Sequence, residues 1–536
     1  MPENSQPTIE TKQTEVQEFL DARQQRRWIF PRAALVGLCA GLVALLFRMA
    51  LSTADSLRNQ LIRWSQGIAV GWVFPLILAA AGAIVSVYLT RKFAPEAAGS
   101  GIPHLESVLL RLRQLRWKRV LPVKFLGGII ALGSGLALGR EGPTVQMGGA
   151  MGAAISRLLK TSDRERITLI SAGAGAGLAA AFNAPLSGLI FVLEEVRRDF
   201  QPIVFGATFI AAVIADIVAR VGTSQFPVFT VPRYELPPLS SLIFFALLGI
   251  IAGVIGVFYN RSLLTSLNFF GRLPGKYHLP VVALVGGVIG LVGWFLPQVI
   301  GSGHFLAESV LSGKVALPMI GLYFFLRFVF TTSSYGIGAP GGIFAPLLVL
   351  GALLGLAVGK TANMLVPEIV PIPAVFAVVG MAALFTGIVR APLTGIMLII
   401  EMTGSYTLML PLLVSSFCAY IVAEALKDMP IYEALMKRGL NLDGDVCLLD
   451  QPAVFEFIVQ ANAPFAGRQV RNLGLPAGCV LVRASDGIRE WVPKANTVIQ
   501  PHMRLSAVIA PEAHGAVEIM HRGCSAPEGI VPGQSD

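Results

Sequence analysis

The chain carries few charged residues for its length. Only 14% of its 536 residues are Asp, Glu, Lys or Arg, and 54% are hydrophobic, whereas roughly 25% of a soluble domain is charged. This balance excludes an ordinary soluble protein and predicts a polytopic membrane protein with the lipid bilayer as its surroundings. The excess of basic residues, 42 against 32 acidic ones, is then typical of cytoplasmic loops and does not indicate nucleic-acid binding.

Paired cysteines and clusters of metal ligands are also missing. The five cysteines form no Cys-x-x-Cys pair, so we expect reduced thiols and neither disulfides nor a zinc site. His104 and His304 have no companion ligands, so we expect no metal. The sequence contains no phosphate-binding Walker pattern and no catalytic-triad spacing, so we expect neither an enzyme nor a cofactor.

The start of the chain lacks the apolar core of a signal peptide. Residues 1–28 are polar and mixed in charge, which predicts a cytoplasmic tail. Apolar segments then recur through residues 29–440, and several are shorter than the roughly 20 residues that cross a bilayer. With 56 glycines and 34 prolines, this pattern predicts an all-α membrane domain of tilted and broken helices.

Sequence repeats divide this domain into halves at about residues 80–220 and 280–425. Residues 99–109 match residues 301–311 at seven of eleven positions, and the Ala-Pro-Leu segments at 184–194 and 391–401 match as well. Basic residues follow the first copy of each pair but hardly follow the second. Because basic loops stay cytoplasmic, the halves are predicted to be inverted, with a substrate site at the midplane.

The turn Gly-Arg-Glu-Gly-Pro at residues 139–143 places a carboxylate between two apolar runs. Pro143 suits the first turn of a helix, so Glu141 is predicted at a helix N-terminus, where anions bind. Glu141 either caps its own helix or acts in function, as ionisable groups inside membranes usually do. In the second half, the glycine-rich turn at residues 338–346 corresponds to it in order.

The composition changes after about residue 440. Short β-type runs at 455–459, 479–482 and 505–509 alternate with turn residues, which predicts a small cytoplasmic α/β domain at 441–524. Residues 525–536 are predicted to be a disordered tail.

Four motifs resemble those of the CLC family of chloride channels and proton-coupled chloride transporters. They are Gly-Ser-Gly-Ile-Pro (99–103), Gly-Arg-Glu-Gly-Pro (139–143), Gly-Gly-Ile-Phe-Ala-Pro (341–346) and the tyrosine in Pro-Ile-Tyr-Glu (430–433). The resemblance implies a homodimer in which each subunit has its own pore and two inverted halves. The segment after residue 441 is similar to the C-terminal lobe of potassium-transport regulatory proteins, which implies an unknown small ligand.

The resemblance also implies which residues bind chloride. Ser100 and Tyr432 would donate through their hydroxyls, and Ile343 and Phe344 through their backbone amides. From the residues alone, Ser100 and Ser302 are each consistent with a helix cap, and Tyr432 with a membrane-interface anchor. The resemblance favours the chloride site for Ser100 and Tyr432, and Ser302 keeps the helix-cap interpretation.

Two glutamates carry the expectation of coupled transport. By resemblance, Glu141 is the external gate and proton acceptor, and Glu195 transfers protons at the cytoplasmic side. From sequence alone, a surface carboxylate paired with Arg198 is the favoured interpretation of Glu195, and the resemblance reverses that preference. We therefore expect a chloride/proton antiporter, with a passive voltage- or pH-gated chloride channel and an anion-regulated sensor as alternatives. The expected location is the cell inner membrane, with both termini cytoplasmic.

Overall fold

The computed structural model describes residues 9–222, 228–229, 231–232, 234, 237–443, 452–486, 490–510, 513 and 515–525. The chain divides into two compact units, Met1–Leu109 with Leu115–Lys437, and Leu110–Gln114 with Arg438–Asp536. The first unit is helical, and the second contains a small sheet.

The helices that precede the sheet differ widely in length, as the sequence predicts for a domain of interrupted helices. In chain order they are α1 (Ile9–Ser65), α2 (Val73–Phe93), α3 (Ile102–Leu109), α4 (Trp117–Gly133), α5 (Glu141–Leu158), α6 (Asp163–Phe182), α7 (Pro185–Phe191), α8 (Pro202–Gly222), α9 (Leu242–Gly271), α10 (Gly275–Phe295), α11 (His304–Leu311), α12 (Leu317–Gly336), α13 (Phe344–Leu365), α14 (Ala374–Val389), α15 (Pro392–Thr403), α16 (Met409–Ala425) and α17 (Ile431–Asp443).

Eight helices within the described residues are long and apolar enough to cross a membrane, which supports a multi-pass membrane protein. Helices α3, α7 and α11 have only seven or eight residues and are too short to cross it. Helix α1 begins at Ile9, so it runs through most of the predicted tail, whose residues 1–8 lie outside the described residues.

The two halves repeat the same order of elements. Helices α2 and α10 each have 21 residues, and each leads through a 3₁₀ turn, Pro95–Ala97 or Pro297–Val299, into an eight-residue helix, α3 or α11. Helices α5 and α6 pack together in the first half as α13 and α14 do in the second. The sequence repeat is therefore a structural repeat.

Glycines let the paired helices approach backbone to backbone. A Cβ on Gly148 of α5 would lie 2.1 Å from the carbonyl oxygen of Gly173 of α6. In the second half, a Cβ on Gly351 of α13 would lie 2.4 Å from the carbonyl oxygen of Gly380 of α14. This small-residue contact is typical of helix packing in membranes, and it explains much of the glycine content.

One predicted apolar run differs from the helix that it forms. The sequence is apolar through residues 125–138, but α4 ends at Gly133. Gly135 adopts a φ of 110°, which a residue with a side chain rarely adopts, so the helix cannot continue. The residues that follow lead instead into the turn before Glu141.

The second unit contains an antiparallel sheet of β1 (Ala453–Ile458), β2 (Cys479–Ser485), β3 (Glu490–Trp491) and β4 (Arg504–Ile509) in the order β1-β4-β2-β3, followed by α18 (Ala516–Cys524). Strands β1, β2 and β4 coincide with the three predicted β-type runs. Phe457, Leu481, Leu505 and Met520 are buried in a core of their own. Residues 444–451 and 526–536 lie outside the described residues, including nearly all of the predicted disordered tail.

Candidate functional site

The two glycine-rich turns of the repeat meet at the centre of the helical unit. Gly139 and Gly342 form an isolated antiparallel bridge, in which the amide of each donates to the carbonyl of the other at 2.6 and 2.7 Å. Helix α5 begins two residues after Gly139, and α13 begins two residues after Gly342. The bridge therefore holds two helix N-termini side by side, where their partial positive charges attract an anion.

Glu141 is the first residue of α5, as predicted, and its side chain is buried. Its Oε2 accepts a hydrogen bond from the amide of Ala345, at the N-terminus of α13, at 3.3 Å. A Cβ on Gly139 would lie 2.4 Å from the same oxygen, so the turn leaves room for the carboxylate only because this residue is glycine. The carboxylate thus occupies a position that suits an anion.

Arg140 lies beside this carboxylate at the mouth of the turn. Its Nε lies 3.9 Å from Oε1 of Glu141, and its Nη2 donates to the carbonyl of Ala181 at 3.3 Å. These contacts anchor the guanidinium to the turn. The guanidinium also places a positive charge next to the Glu141 carboxylate.

Ser100 lies against the N-terminus of α5 in a turn between two glycines of positive φ, Gly99 (63°) and Gly101 (81°). A Cβ on Gly142 would lie 2.9 Å from Cβ of Ser100, which shows how closely the two turns approach. The Ser100 hydroxyl accepts from the amide of Ile102 at 3.4 Å, as in a helix cap. This contact uses the hydroxyl as an acceptor, and the Tyr335 hydroxyl also interacts with it. A hydroxyl rotates and donates one hydrogen bond, so its proton can turn from Tyr335 to an anion.

Ile343 and Phe344 form the start of α13, with Ile343 as the N-cap residue, and both side chains are fully buried. No acceptor for either amide is found within the described part of the chain. Phe344 is fixed by ring contacts with Phe182, Phe191 and Phe385. The two amides therefore have the geometry of unpaired helix N-terminal donors on a rigid support.

Tyr432 lies in the first turn of α17 and is fully buried. Its hydroxyl has no hydrogen-bond partner among the described residues. A membrane-interface anchor would keep its hydroxyl in contact with water, so complete burial disfavours that alternative. A buried donor without a protein partner is what an anion site requires.

Glu195 lies in a π-helical turn, Val192–Val196, that continues α7, and its side chain is only 3% exposed. Its Oε1 lies 3.6 Å from Nη2 of Arg198, which in turn contacts Glu433 at 3.4 Å. The ion pair with Arg198 proposed from the sequence is therefore present, but the carboxylate is buried rather than on the surface. Such π-helical turns often mark functional sites.

Sequence reasoning missed a second buried carboxylate near Glu195. Glu106 of α3 is 4% exposed, and its Oε1 has no hydrogen-bond partner among the described residues. Helix α3 contacts the π-helical turn that carries Glu195. Its signal in the sequence is an acidic residue inside a short apolar helix that follows a glycine turn.

A buried lysine, also missed, supports the Ser100 turn. Lys124 of α4 is fully buried, and its Nζ donates to the carbonyls of Ala97 at 2.9 Å and Gly99 at 2.6 Å. A lysine within an otherwise apolar run could have been recognised from the sequence, because charged residues within membrane segments are rare and usually have a specific role. Here the charge holds the turn that presents Ser100.

Glu194 and Glu401 are equivalent residues of the repeat, and each caps a helix in the opposite half. The carboxylate of Glu194 accepts from the amides of Leu393 at 3.0 Å and Thr394 at 2.7 Å, at the start of α15. The carboxylate of Glu401 accepts from the amides of Leu186 at 3.1 Å and Ser187 at 2.7 Å, at the start of α7. Each helix N-terminus is thus stabilised by a glutamate from the other half.

The two histidines have ordinary partners. His104 lies 3.2 Å from the side-chain amide of Gln146, and His304 lies 3.4 Å from Glu308. Across the described residues, no group of three or more His, Cys, Asp or Glu side chains is arranged to hold a metal ion.

A cavity of about 460 Å³ opens over Glu141. Its walls include Arg48, Arg58, Arg140, Glu141, Ser302 and His304. Ser302 belongs to the turn in the second half that corresponds to the Ser100 turn in the first half. Ser302 lines this cavity, whereas Ser100 does not. The two copies of the turn therefore open onto different parts of the helical unit, as expected of inverted halves.

Comparison with known proteins agrees with this architecture. The family model described as voltage gated chloride channel matches residues 81–424, and the TrkA-C domain model matches residues 454–518. The chain is 44% identical over 418 residues to the H(+)/Cl(-) exchange transporter ClcA of Vibrio campbellii, covering 77% of this chain and 89% of that protein. The ClcA of Vibrio cholerae serotype O1 is 43% identical over 433 residues, covering 80% and 92%.

Solved structures show the same likeness. The crystal structure of a slow cyanobacterial Cl-/H+ antiporter has a TM-score of 0.75 and 37% identity, covering 78% of this chain and 99% of the other. A eukaryotic CLC transporter shares the fold, with a TM-score of 0.66 and 24% identity over 78% of this chain and 74% of the other.

Proposed function

The chain belongs to the voltage gated chloride channel family, and we propose that it exchanges chloride for protons across a membrane. Relatives at 43–44% identity and the cyanobacterial structure are chloride/proton exchangers by name, which supports exchange over passive conduction. Each subunit would contain its own pore between the two inverted halves.

The contact between Glu141 and the amide of Ala345 carries this proposal. An ionised Glu141 lies where chloride would gain most from the two helix N-termini, so it competes with chloride for the pathway. When Glu141 is protonated, that attraction is lost and the side chain can move aside. A group that blocks the pathway when it is charged and opens it when it binds a proton links the two movements.

We infer that the central chloride is held by the hydroxyls of Ser100 and Tyr432 and the amides of Ile343 and Phe344. These donors are buried and carry no full positive charge. Oriented dipoles of this kind attract a monovalent anion yet release it fast enough for turnover. The unpartnered hydroxyl of Tyr432 and the unpaired amides at the start of α13 support this assignment.

Protons would reach Glu141 by a separate route that starts at Glu195. Glu195 is buried, and through Arg198 it is connected to the exposed edge of the unit. Glu106, which lies beside it with an unpartnered oxygen, can accept a hydrogen bond from water along the way to the centre. We propose that the proton moves from Glu195 to Glu141 along transient water while chloride uses the Ser100 path.

A chloride gradient imposed on the protein in liposomes tests exchange against conduction. An exchanger moves protons uphill on that gradient, whereas a passive voltage- or pH-gated channel lets chloride flow without moving protons. Proton movement no greater than in protein-free liposomes would favour the channel.

We also propose that the protein is a homodimer in the cell inner membrane with both termini cytoplasmic. The basic residues that follow α3 support a cytoplasmic end for that helix; they are Arg111, Arg113, Arg116, Lys118 and Arg119. Chemical cross-linking of membranes before solubilisation tests the dimer, and a monomeric band alone would contradict it.

Replacement of Ser100 by proline is expected to shift selectivity from chloride towards nitrate. The substitution removes the hydroxyl donor, and it also removes the amide that donates to the Tyr335 hydroxyl at 3.3 Å. The measurement is the chloride/nitrate flux ratio of parent and variant in liposomes. Ser100→Ala, which keeps the amide, isolates the hydroxyl, and an unchanged ratio in both variants would refute the role given to Ser100.

Removal of the residues after Leu440 is expected to leave chloride and proton flux in place, because the site residues all precede that point. The removed part has its own core, so we propose that it regulates transport or assists assembly by binding a small ligand. Binding screens with nucleotides, divalent cations and anions test regulation. Loss of all flux in a truncated protein that still purifies as a folded dimer would favour the anion-regulated sensor.

A further inference from the structure

The Ser302 turn is a close structural copy of the Ser100 turn. Gly301 and Gly303 have φ angles of 63° and 79°, against 63° and 81° for Gly99 and Gly101. Each turn follows a 3₁₀ turn and opens an eight-residue helix. The backbone that presents the serine is therefore the same in both halves.

A buried cation supports both turns in the same way. Arg327 of α12 corresponds to Lys124 of α4 and is also fully buried. Its Nη1 donates to the carbonyls of Val299 at 3.2 Å and Gly301 at 2.7 Å, the counterparts of the Lys124 acceptors Ala97 and Gly99. Its Nη2 also donates to the carbonyl of Ser302 at 3.1 Å. Both serine turns thus have a positive charge beneath them.

The helix-cap interpretation of Ser302 is not what the structure shows. The N-cap residue of α11 is Gly303, with no side-chain cap, and the Ser302 hydroxyl has no hydrogen bond within the described residues. Ala307 is the first residue of this helix whose amide donates to a backbone carbonyl, that of Gly303. The Ser302 hydroxyl and the amides of His304 and Phe305 are therefore available to a ligand.

The cavity wall around this turn is rich in cations. Arg48, Arg58 and Arg140 line the cavity that Ser302 and His304 enter. Arg58 is only 7% exposed, and its Nη1 pairs with the carboxylate of Asp55 at 2.6 Å, while its Nε has no hydrogen-bond partner among the described residues. The lining holds four arginines, the fourth being Arg63, against two carboxylates, Asp55 and Glu141. This excess of positive charge beside an uncapped helix N-terminus indicates that the ligand is an anion.

We propose that the Ser302 turn binds a second anion, of the size and charge of chloride, in the cavity over Glu141. The choice of chloride rests on the proposed function, whereas the charge of the lining and the uncapped helix N-terminus point to an anion independently of it. The site holds the anion one step outside the gate, so that chloride is present when Glu141 is protonated and leaves its position. The repeat thus supplies one serine turn to each end of the pathway.

Anomalous diffraction from crystals of the full-length protein in bromide tests this site without depending on transport. We expect a bromide peak within hydrogen-bonding distance of the Ser302 hydroxyl and the His304 amide. Ser302→Ala should weaken binding there about tenfold, the order expected for one hydrogen bond to a charged group. Ser302→Thr keeps the hydroxyl and should restore the peak.

Ser309→Ala is the matched control, because Ser309 is on the same helix but its hydroxyl donates to the carbonyl of Phe305. The parent-like peak should persist in this variant. No bromide at Ser302 in the parent protein, or equal occupancy in Ser302→Ala, would overturn the proposal. Failure of the protein to couple protons would instead refute the proposed function and leave the bromide result interpretable.

Discussion

Glu141→Gln is expected to abolish proton coupling and leave passive chloride flux. Glutamine keeps the size of the side chain and its place beside the Ala345 amide, but it cannot gain or lose a proton. Proton flux driven by a chloride gradient should fall at least about 100-fold, the lower end for loss of a positioned proton-transfer group. The measurement is proton uptake by liposomes that contain the variant.

Glu368→Gln is a suitable control, because Glu368 is exposed and lies between α13 and α14, away from the turn. This variant should behave like the parent. Uphill proton movement by Glu141→Gln at the parent's rate would mean that Glu141 is not the gate.

Glu195→Gln is expected to keep chloride flux and lose proton transport. The side chain is buried at a π-helical turn and is not itself one of the four chloride donors. Removing its titratable group therefore interrupts the proton route without altering the chloride donors. Proton flux should again fall at least about 100-fold, with chloride flux recorded in the same liposomes.

Glu194→Gln is the matched control, one residue earlier on the same segment. Its carboxylate caps α15 in the other half, so the neutral variant should lose about 1.5–3 kcal/mol of stability, the range for hydrogen bonds to a charged group. It should not separate the two fluxes. If Glu195→Gln pumps protons like the parent, or if Glu194→Gln alone uncouples, the proton route assigned to Glu195 is wrong.

Features that depend on a few neighbouring residues could be predicted from the sequence. Gly139, Pro143 and the flanking apolar runs specified a helix that begins at Glu141, and the structure confirms it. The repeat specified two halves with matching elements. In both cases local backbone preferences and helix signals determine the result, so no long-range information was needed.

Features that depend on contacts across the repeat could not be predicted in this way. The bridge between Gly139 and Gly342 joins residues that are far apart in sequence. The exchange of caps by Glu194 and Glu401 places each glutamate on the opposite half, whereas the sequence showed only that the two are equivalent. Such pairings follow from the packing of the halves, which periodicity and motifs do not specify.

The burial of charged side chains also could not be predicted from the sequence. The sequence alone favoured an exposed Glu195 paired with Arg198, whereas the side chain is only 3% exposed. Lys124 and Arg327 were visible as charges within apolar runs, but their acceptors are backbone carbonyls, which carry no sequence signal. The equivalence of these two cations became evident only once both serine turns could be compared in space.

Simultaneous recording of chloride and pH with the purified parent protein in liposomes tests the central claim most directly. If chloride and protons are exchanged through Glu141 and Glu195, the ratio of chloride to proton flux stays constant as the chloride gradient is varied, and protons move against their own gradient. Chloride flux accompanied by proton movement no greater than in protein-free liposomes would contradict exchange through Glu141 and Glu195.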